Sequence, residues 1–518
     1  MIQSNRALYL CCIAAPWIDV AKRLQKEMDL IPVYFVYWGA DANIFNNQFD
    51  EFCHLQKIED AWKGLGFPKG LKPKTLDESE SKQIAWHELN ALKMMDRLDP
   101  LGNDFGFQQR RYFFQDLLGY WLAYIDEKGL DIVISPSIPH RVFDYALYIA
   151  CQLRSIKFLM FQMVPFGSNS LIIDNIDSMG DRYLVNVSNT TNYLPTEHIA
   201  QRIETVKRDY CKAVPDYMIK HEKNARFNLL KTAENTAKGF IRPLLSLLGY
   251  PRPKLYWVER GAMPAQSSYS WLKFYQMSLK RALRVKKFRP QYNAILSKSL
   301  PKQYVLVALH YQPEETSCPT GGSYSDQISM IRLLDQTLPS NISILVKEHK
   351  SQFFTHQESS SGRDNSYYQR LASISDRVFF VSVDHSPFEL IDRAIATVTI
   401  SGTIGWESAI RGTPTLVFGR AWYEHMPRVH KVKTKADILG CWDFVLSEKN
   451  MDLDKDILRF HGYLESKFVC SKHYKANLGK NDVTMVDSVA NLSNGIKGFL
   501  SEYYFDWASD NNRSTRVQ

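Results

Sequence analysis

The 518-residue sequence lacks the patterns that define disulfide-rich and membrane-spanning proteins. Its eight cysteines are scattered and form no CxxC pair, so neither a zinc site nor a disulfide framework is indicated, and a reducing, cytoplasmic location is expected. No apolar stretch reaches 18 residues, so we expect no membrane-spanning helix. The apolar run 7–17 is short and follows no basic segment in residues 1–5, which favours a first strand over a signal peptide.

Two common nucleotide-binding motifs are also absent. The sequence contains neither GxxxxGK[ST] nor GxGxxG, which disfavours ATP and dinucleotide chemistry. Hydrophobic residues make up 45% of the chain and charged residues 23%, values that exclude a disordered protein. The length is too great for one compact core, so two domains are expected.

Acidic residues are missing from one long segment. Between Glu259 and Glu314 there are ten Lys and Arg and no Asp or Glu, which accounts for the whole net charge of +9. On a helical wheel the basic and apolar residues fall on opposite faces: Lys273, Lys280, Arg284 and Lys287 against Trp271, Phe274, Tyr275, Leu279 and Ala282. This pattern over 271–289 predicts a basic amphipathic helix, which either lies on an anionic membrane surface or packs its apolar stripe on the core. No nucleic-acid-binding motif accompanies the charge, so nucleic acid is not an expected partner.

The first part of the chain, 1–169, alternates apolar runs with helical patterns. The predicted order is strand Ala7–Ala14, helix Trp17–Met28, strand Pro32–Tyr37, strand Leu130–Ser135, helix Val142–Leu153 and strand Lys157–Met163. Strand–helix–strand order of this kind predicts a parallel sheet covered by helices.

The same alternation returns in 301–480. The predicted order is strand Tyr304–Leu309, helix Asp326–Thr337, strands Ser343–Val346 and Val378–Val381, helix Pro387–Arg393, strand Ile395–Ile400, a helix from Ile404 and strand Thr415–Phe418. Residues 170–300 lack this rhythm and are interpreted as a helical insertion or connector. Within 481–518, a final helix around Val486–Tyr503 could pack on the first domain.

The expected fold is therefore α/β, with two Rossmann-like domains facing a cleft and a helical connector between them. Ligands of open α/β sheets bind outside the carboxyl ends of the strands. Candidate functional residues were accordingly sought at the ends of the predicted strands.

Three polar clusters follow strands in the second domain. His310, Gln312, Glu314 and Glu315 come after the first strand and could supply a nucleophile or a general base, although a solvent-facing turn has the same pattern. The second cluster, Lys347 to Lys350, contains His349, which could contact phosphate oxygens.

The third cluster, 401–407, lies between a strand and a predicted helix. Small residues allow a ligand to approach the backbone, and a new helix offers unpaired N–H groups. Ser401, Gly402 and Thr403 therefore form a candidate phosphate cradle, while Glu407 could bind ribose hydroxyls or simply cap the helix.

These clusters resemble a known family. The segments LHYQPEETS, LVKEHK and SGTIGWESAIRGTPTLVFG, followed by WY, are similar to bacterial capsule polysaccharide biosynthesis proteins, including the KpsC and KpsS type of Kdo (3-deoxy-manno-octulosonic acid) transferase. The resemblance covers about residues 300–425. It implies a GT-B glycosyltransferase that binds its donor nucleotide in the C-terminal domain and its acceptor in the N-terminal domain.

The resemblance also implies roles for particular residues. Gln312 matches the family's glutamine, and Glu314 or Glu315 falls where an acidic nucleophile is expected. His349 matches the histidine of a His-Pro pair that contacts the donor phosphate. The loop residues Ser401, Thr403 and Glu407 match the nucleotide-binding loop. Two positions depart from the family pattern: Lys350 replaces the proline, and the acidic position carries Glu where the Kdo enzymes carry Asp.

The chemistry expected is glycosyl transfer without a metal or another cofactor. The helix start after Ser401, with His310, Lys347 and His349, would stabilise the departing phosphate. Asp452 and Asp454 form a DxD string, but in a charged helical segment. A carboxylate that attacks the anomeric carbon gives retention, whereas one that deprotonates the acceptor gives inversion.

On the N-terminal side, His140 follows a strand and is a candidate acceptor-side base. The donor could be a CMP-activated ulosonate such as Kdo, and the acceptor a lipid-linked saccharide or an oligosaccharide. A lipid-linked acceptor would place the enzyme peripherally on the inner face of the cytoplasmic membrane. Two alternatives remain: a nucleotide-sugar epimerase of the related two-domain fold, and a non-catalytic binding subunit of a polysaccharide assembly complex.

Overall fold

The computed structural model describes most of the chain: residues 5–38, 42–45, 48–49, 53–99, 101–102, 105–183, 193–209, 271–355, 359–448 and 451–504, with isolated residues between 219 and 249. These residues divide into two compact units. Unit 1 comprises 1–92, 107–179 and 465–518, and unit 2 comprises 93–106 and 180–464.

Thirteen strands are present in the described residues. They are β1 Asn5–Ile13, β2 Leu30–Trp38, β3 His54–Lys57, β4 Ile132–Ser135, β5 Lys157–Met163, β6 Asn169–Ile173, β7 Tyr304–Ala308, β8 Ser343–Lys347, β9 Val378–Val381, β10 Ala396–Thr399, β11 Thr415–Val417, β12 Val429–Lys431 and β13 Val469–Cys470.

The α-helices of the same residues are numbered likewise. They are α1 Ala14–Met28, α2 Ile58–Ala61, α3 Glu78–Met94, α4 Phe107–Lys128, α5 Val142–Leu153, α6 Glu197–Arg208, α7 Trp271–Asn293, α8 Gln327–Thr337, α9 Tyr367–Ala372, α10 Pro387–Arg393, α11 Thr403–Ile410, α12 Lys435–Glu448, α13 Asp454–Glu465 and α14 Met485–Tyr503. No helix in the described part of the chain is long and apolar enough to cross a membrane.

Unit 1 is built on a seven-stranded sheet in the order β13-β6-β5-β4-β1-β2-β3. Strands β1 to β5 are parallel, and β5–β6 and β6–β13 are antiparallel pairs. The parallel strands are nearly continuous apolar runs because both faces of such a sheet are covered. Trp17 and Leu24 of α1 and Leu492, Ile496 and Leu500 of α14 share one buried cluster with β1 and β2.

Unit 2 contains a six-stranded, fully parallel sheet in the order β12-β11-β10-β7-β8-β9. Helices α8 to α11 connect successive strands, and the two central strands β7 and β10 are buried. Helix α7 belongs to the same core, since Val285, Phe288 and Tyr292 are buried in it. The α/β prediction with two sheets is confirmed.

The domain boundaries differ from those predicted. The structure places residues 465–504 in unit 1 because β13 pairs with β6 and α14 packs on α1, so the cut at 480/481 is wrong. The predicted boundary at 169/170 divides β6, a short strand that the sequence pattern did not reveal. Much of the predicted connector 170–300 lies outside the described residues, and its described part after residue 180 belongs to unit 2.

The face assignment predicted for the basic helix also needs correction. Leu279 belongs to the predicted apolar stripe but is 61% exposed, whereas Arg284 of the predicted basic face points inward and donates to the carbonyl oxygen of Leu101 at 2.6 Å. The stripe that packs on the core consists instead of Met277, Val285, Phe288 and Tyr292. The side chains of residues 271–274 lie outside the described set.

Candidate functional site

The loop after β10 is held in place by a buried histidine. His310 follows β7, is 6% exposed, and accepts hydrogen bonds at Nε2 from the backbone N–H groups of Ile400 (3.2 Å) and Ser401 (3.4 Å). Burial lowers the pKa of His310 to about 3, helped by nearby His349 and Arg363, so the ring is neutral. Because Nε2 accepts, the proton lies on Nδ1, 3.3 Å from the Thr316 hydroxyl. His310 therefore positions the loop, which differs from the phosphate contact predicted for it.

The first turn of α11 begins directly after this loop. Gly402 is the N-cap residue; its N–H donates to the Thr399 hydroxyl at 3.2 Å, and its carbonyl accepts from the Tyr423 hydroxyl. A Cβ at position 402 would lie 3.2 Å from His310 Cε1, so a larger residue would press on the histidine. Thr403 opens the helix with an exposed side chain. The predicted strand–loop–helix geometry is thus present.

The acidic turn after β7 is bonded to the same loop. Ser401 Oγ donates to the carbonyl oxygen of Thr316 at 2.6 Å and lies 3.4 Å from the Thr320 hydroxyl. The exposed Glu314 accepts from the Thr316 hydroxyl at 3.0 Å, while the backbone of half-buried Glu315 accepts from Thr320. The structure therefore brings together the first and third predicted clusters.

The Gln312 side chain is buried and hydrogen-bonded to other residues of unit 2. It is 4% exposed; its Nε2 donates to the Ser325 carbonyl at 2.8 Å, and its Oε1 accepts from Arg363 Nη1 at 2.9 Å. A catalytic contact by this amide would require breaking one of these bonds, which argues for a supporting role.

Arg363 is the central residue of this support. Its guanidinium is fully buried and makes paired hydrogen bonds of 2.9 Å to the Glu348 carboxylate, together with one of 2.9 Å to the His310 carbonyl. Tyr368 donates to the same carboxylate at 2.9 Å. Sequence reasoning missed Arg363 because a single arginine in the polar loop 356–365 carries no strand or motif signal.

Lys347 and His349 lie at the end of β8. Lys347 Nζ donates to the Val383 carbonyl at 2.8 Å, and burial together with Lys350 lowers its pKa to about 8. Half-buried His349 accepts at Nδ1 from the Ser351 N–H (3.2 Å), so its proton lies on Nε2. Burial lowers the pKa of His349 to about 4, with Lys347 and Arg363 contributing and Glu348 opposing. His349 thus presents a neutral N–H donor.

Glu407 lies one turn into α11 and is half-buried. Burial raises the pKa of its carboxyl to about 7, against the opposing charges of Arg202 on α6 and Arg411. The contact with α6 shows that the carboxyl is close to a second helix as well as to the loop.

His140, the candidate from the N-terminal half, lies in unit 1 between β4 and α5. Its ring Nδ1 is 2.7 Å from the Ile138 carbonyl oxygen, and its backbone N–H donates to the Asp144 carboxylate at 3.4 Å. Burial raises the pKa of Asp144 to about 7 against the nearby Arg141 and three backbone N–H donors.

One group with metal-ligand chemistry is present among the described residues. Asp181, Glu424 and His425 bring their ligand atoms within 4.8 Å of one another. Arg420 already bridges the two carboxylates, at 3.1 Å and 2.7 Å, and Lys431 lies 3.6 Å from Glu424. Two cations among these ligands make the group an ion-pair network rather than a fitting cation site.

The comparison with protein families identifies the segment that carries this site. Residues 267–427, about a third of the chain, match the family described as capsule polysaccharide biosynthesis protein. The family resemblance is confirmed over these residues. No curated protein matches the chain.

Solved structures align with the chain only distantly. The UDP-GlcNAc 2-epimerase from Neisseria meningitidis bound to UDP-GlcNAc is 11% identical, covers 89% of this chain and 99% of its own, and has a TM-score of 0.22. KpsC from Thermosulfurimonas dismutans, a beta Kdo 2,7 transferase, is 10% identical, covers 71% of this chain and 87% of its own, and has a TM-score of 0.27. The UDP-GlcNAc 2-epimerase from Methanocaldococcus jannaschii is 12% identical, covers 88% and 97%, and has a TM-score of 0.23. At these scores neither activity is transferred to the present chain.

Proposed function

We propose that this protein is a glycosyltransferase of surface polysaccharide biosynthesis, capsule or O-antigen, and that unit 2 binds its nucleotide-sugar donor. The observation that carries the proposal is the hydrogen bond from Ser401 to Thr316, which joins a candidate phosphate loop to a turn bearing two carboxylates. The family match over residues 267–427 supports the same class.

The donor phosphate would lie at the start of α11. Backbone N–H groups of its first turn carry the positive end of the helix dipole, and the Thr403 hydroxyl adds a donor. The neutral Nε2–H of His349 supplies a further hydrogen bond. As the bond from the anomeric carbon to the phosphate oxygen breaks, its electron pair passes to that oxygen, and these donors stabilise the negative charge that develops there.

Glu314 or Glu315 would assist the acceptor. In the direct reaction the acceptor hydroxyl forms the new C–O bond and transfers its proton to the carboxylate. In the alternative reaction the carboxylate displaces the phosphate at the anomeric carbon; the acceptor hydroxyl then displaces the carboxylate, gives its proton to the released phosphate, and restores the original configuration. Both routes require the carboxylate near the phosphate loop, as the turn provides.

The donor we propose is a CMP-activated ulosonate such as Kdo, and the acceptor a lipid-linked saccharide or an oligosaccharide. The exposed face of α7 would hold the enzyme on an anionic membrane surface. Leu279 and Leu283 are 61% and 51% exposed and alternate there with three exposed lysines: Lys280, Lys286 and Lys287. Helix α7 has no acidic residue to oppose this charge.

The first experiment measures thermal unfolding with CMP, UDP, GDP and TDP. A ligand at a hundred times its Kd adds about 2.7 kcal/mol of stability, so selective binding raises Tm. We expect CMP to be selected, His349→Ala to reduce its effect, and the exposed His198→Ala to leave it unchanged. Selective stabilisation by UDP would contradict a CMP-activated ulosonate donor and make the epimerase as well supported as the glycosyltransferase. No response to any nucleotide would contradict a donor site in unit 2.

A second experiment separates an enzyme from a binding subunit. Glu314→Gln and Glu315→Gln are compared for nucleotide binding and for nucleotide release from the corresponding sugar donor. We expect one of them to lose release while keeping the nucleotide-induced rise in Tm. If the parent binds the donor and neither releases nucleotide nor isomerises the sugar, a non-catalytic subunit is the correct interpretation.

A further inference from the structure

Three separate chain segments bring two cations to one indole ring in unit 1. Trp38 ends β2, Arg141 precedes α5, and Lys475 follows β13. The guanidinium carbon of Arg141 lies 5.4 Å from the Trp38 ring centroid, and Lys475 Nζ lies 5.9 Å from it. Because β2 and β4 run parallel to β1 and end nearby, this cluster lies at the carboxyl edge of the sheet, where open α/β sheets bind ligands.

Arg141 is buried without satisfying all its donors. It is 8% exposed; Nη2 donates to the Tyr474 hydroxyl at 3.3 Å, but Nη1 makes no hydrogen bond and lies 3.6 Å from Asp144. The Asp144 carboxylate is already occupied by the backbone N–H groups of Arg141 (2.7 Å) and His140 (3.4 Å). Nη1 therefore has an ion-pair partner but no hydrogen bond, and a buried guanidinium N–H without an acceptor is unfavourable unless a ligand accepts from it.

Strained backbone marks the same place. Cys11 has a φ of 58°, a left-handed conformation unusual for a residue with a side chain, at an irregularity in the β1–β2 pairing. Strained backbone of this kind is enriched at active sites and ligand-binding sites. Burial raises the pKa of the Cys11 thiol, with Asp144 adding to the effect and the hydrogen-bonded Arg141 opposing it, so the thiol is neutral and does not compensate the charge of Arg141.

We propose that Arg141 and Lys475 form a subsite for an oxyanion, a carboxylate or a phosphate, carried by the acceptor. The planar Arg141 guanidinium supplies N–H donors, and the Tyr474 hydroxyl and the Trp38 ring fix its orientation. The exposed Lys475 ammonium adds a second positive charge. The assignment of this anion to an acceptor rests on the proposed function, whereas the subsite itself does not.

The test is calorimetric titration of the full chain with inorganic phosphate and, separately, with glucuronate. Lys475→Met should weaken binding of the preferred anion by about tenfold, as expected for one lost charge-assisted contact. Lys472→Met, which removes the same charge three residues away, should bind like the parent. His349→Ala removes a donor at the proposed phosphate site of unit 2, so binding lost in that variant belongs to unit 2 and binding lost in Lys475→Met belongs to this subsite.

The two probes separate the two sources of the anion. Tighter binding of phosphate points to a lipid-phosphate or glycosyl-phosphate acceptor, and tighter binding of glucuronate points to an acidic sugar. Absence of saturable binding by the parent, or equal affinities of Lys475→Met and Lys472→Met, would overturn the subsite.

Transfer assays then separate this inference from the proposed function. If the protein transfers sugar, Lys475→Met should raise KM for the acceptor and leave KM for the donor unchanged. If binding is lost in Lys475→Met but the parent transfers no sugar, the subsite stands and the glycosyltransferase proposal fails.

Discussion

His310 shows how a single neutral side chain can hold a ligand loop. Replacing it with Phe removes the acceptor for the N–H groups of Ile400, which is buried, and Ser401, which is half-buried, and leaves both donors unpaired. Each unpaired donor costs about 1–3 kcal/mol, so we expect a loss of roughly 2–5 kcal/mol in the free energy of unfolding. Urea denaturation checks the stability, and nucleotide titration should show weakened binding.

The control for this prediction is His310→Asn, which keeps an acceptor near the loop. Asn should retain more stability and more nucleotide binding than Phe. Equal losses for the two variants would mean that ring volume, rather than the hydrogen bonds, holds the loop.

Single residues were also where sequence reasoning was weakest. The positions of Ser401, Gly402 and Thr403 followed from their place after an apolar strand, and the structure shows that geometry. The pairing of Arg363 with Glu348 joins residues 15 positions apart through the tertiary fold, and no local pattern encodes it. For the same reason the sequence predicted ligand contacts for His310 and Gln312, although in the structure both side chains are hydrogen-bonded to other residues of the protein.

At the scale of elements, the sequence predicted most strands and helices closely. Val142–Leu153 and Lys157–Met163 agree with α5 and β5 to the residue, because turn residues and buried β-branched or aromatic runs mark their ends. Strands β6, β12 and β13 were missed because polar residues interrupt or shorten their apolar runs, whereas the equally short β4 and β11 lie in continuous apolar runs. In α7 the helical wheel correctly predicted that Lys280 and Lys287 are exposed. Packing against the core of unit 2, which the wheel does not show, determines which apolar residues are buried.

Helix α7 offers a prediction at this scale. Lys280→Glu with Lys287→Glu should reduce sedimentation with vesicles containing anionic phosphatidylserine, because each basic residue near such a surface contributes about 1 kcal/mol. The effect should shrink as salt is raised and the charges are screened. Cosedimentation at low and physiological ionic strength measures it.

The matched control for α7 is Lys298→Glu with Lys302→Glu, two exposed lysines beyond the end of the helix. These changes remove the same charge and should leave cosedimentation near the parent value. If both double variants lose binding equally, only net charge matters and the exposed face of α7 has no special role.

At the scale of the whole molecule, the described residues include two opposing sets of buried titratable groups. Burial lowers the pKa of four histidines to about 3 or 4: His310, His349, His461 and His473. It raises the pKa of three carboxyls to about 7: Asp144, Glu407 and Glu424. The histidines lower the free energy of unfolding as pH falls below about 6.5. The carboxyls lower it as pH rises from about 4.5 toward 7.

Between about pH 4.5 and 6.5 the two sets nearly cancel. The unfolded chain binds four protons on these histidines and the folded chain three on these carboxyls, a difference of one. Stability contributed by these groups should therefore rise by only about 1.4 kcal/mol per pH unit in this window. Below it the unfolded carboxyls also become protonated, so the loss of stability should steepen.

The substitution Glu407→Gln tests this balance. It removes one proton bound by the folded chain, so the slope between pH 4.5 and 6.5 should exceed that of the parent by about 1.4 kcal/mol per unit. Above pH 7 the ionised Glu407 is disfavoured by burial, so the variant should be more stable than the parent by up to a few kcal/mol. Urea unfolding across pH 4.5–8 measures both effects. If the free energies of unfolding of the parent and of Glu407→Gln change with pH in parallel, this carboxyl is ionised in the folded state. Two carboxyls, and not three, would then oppose the four histidines.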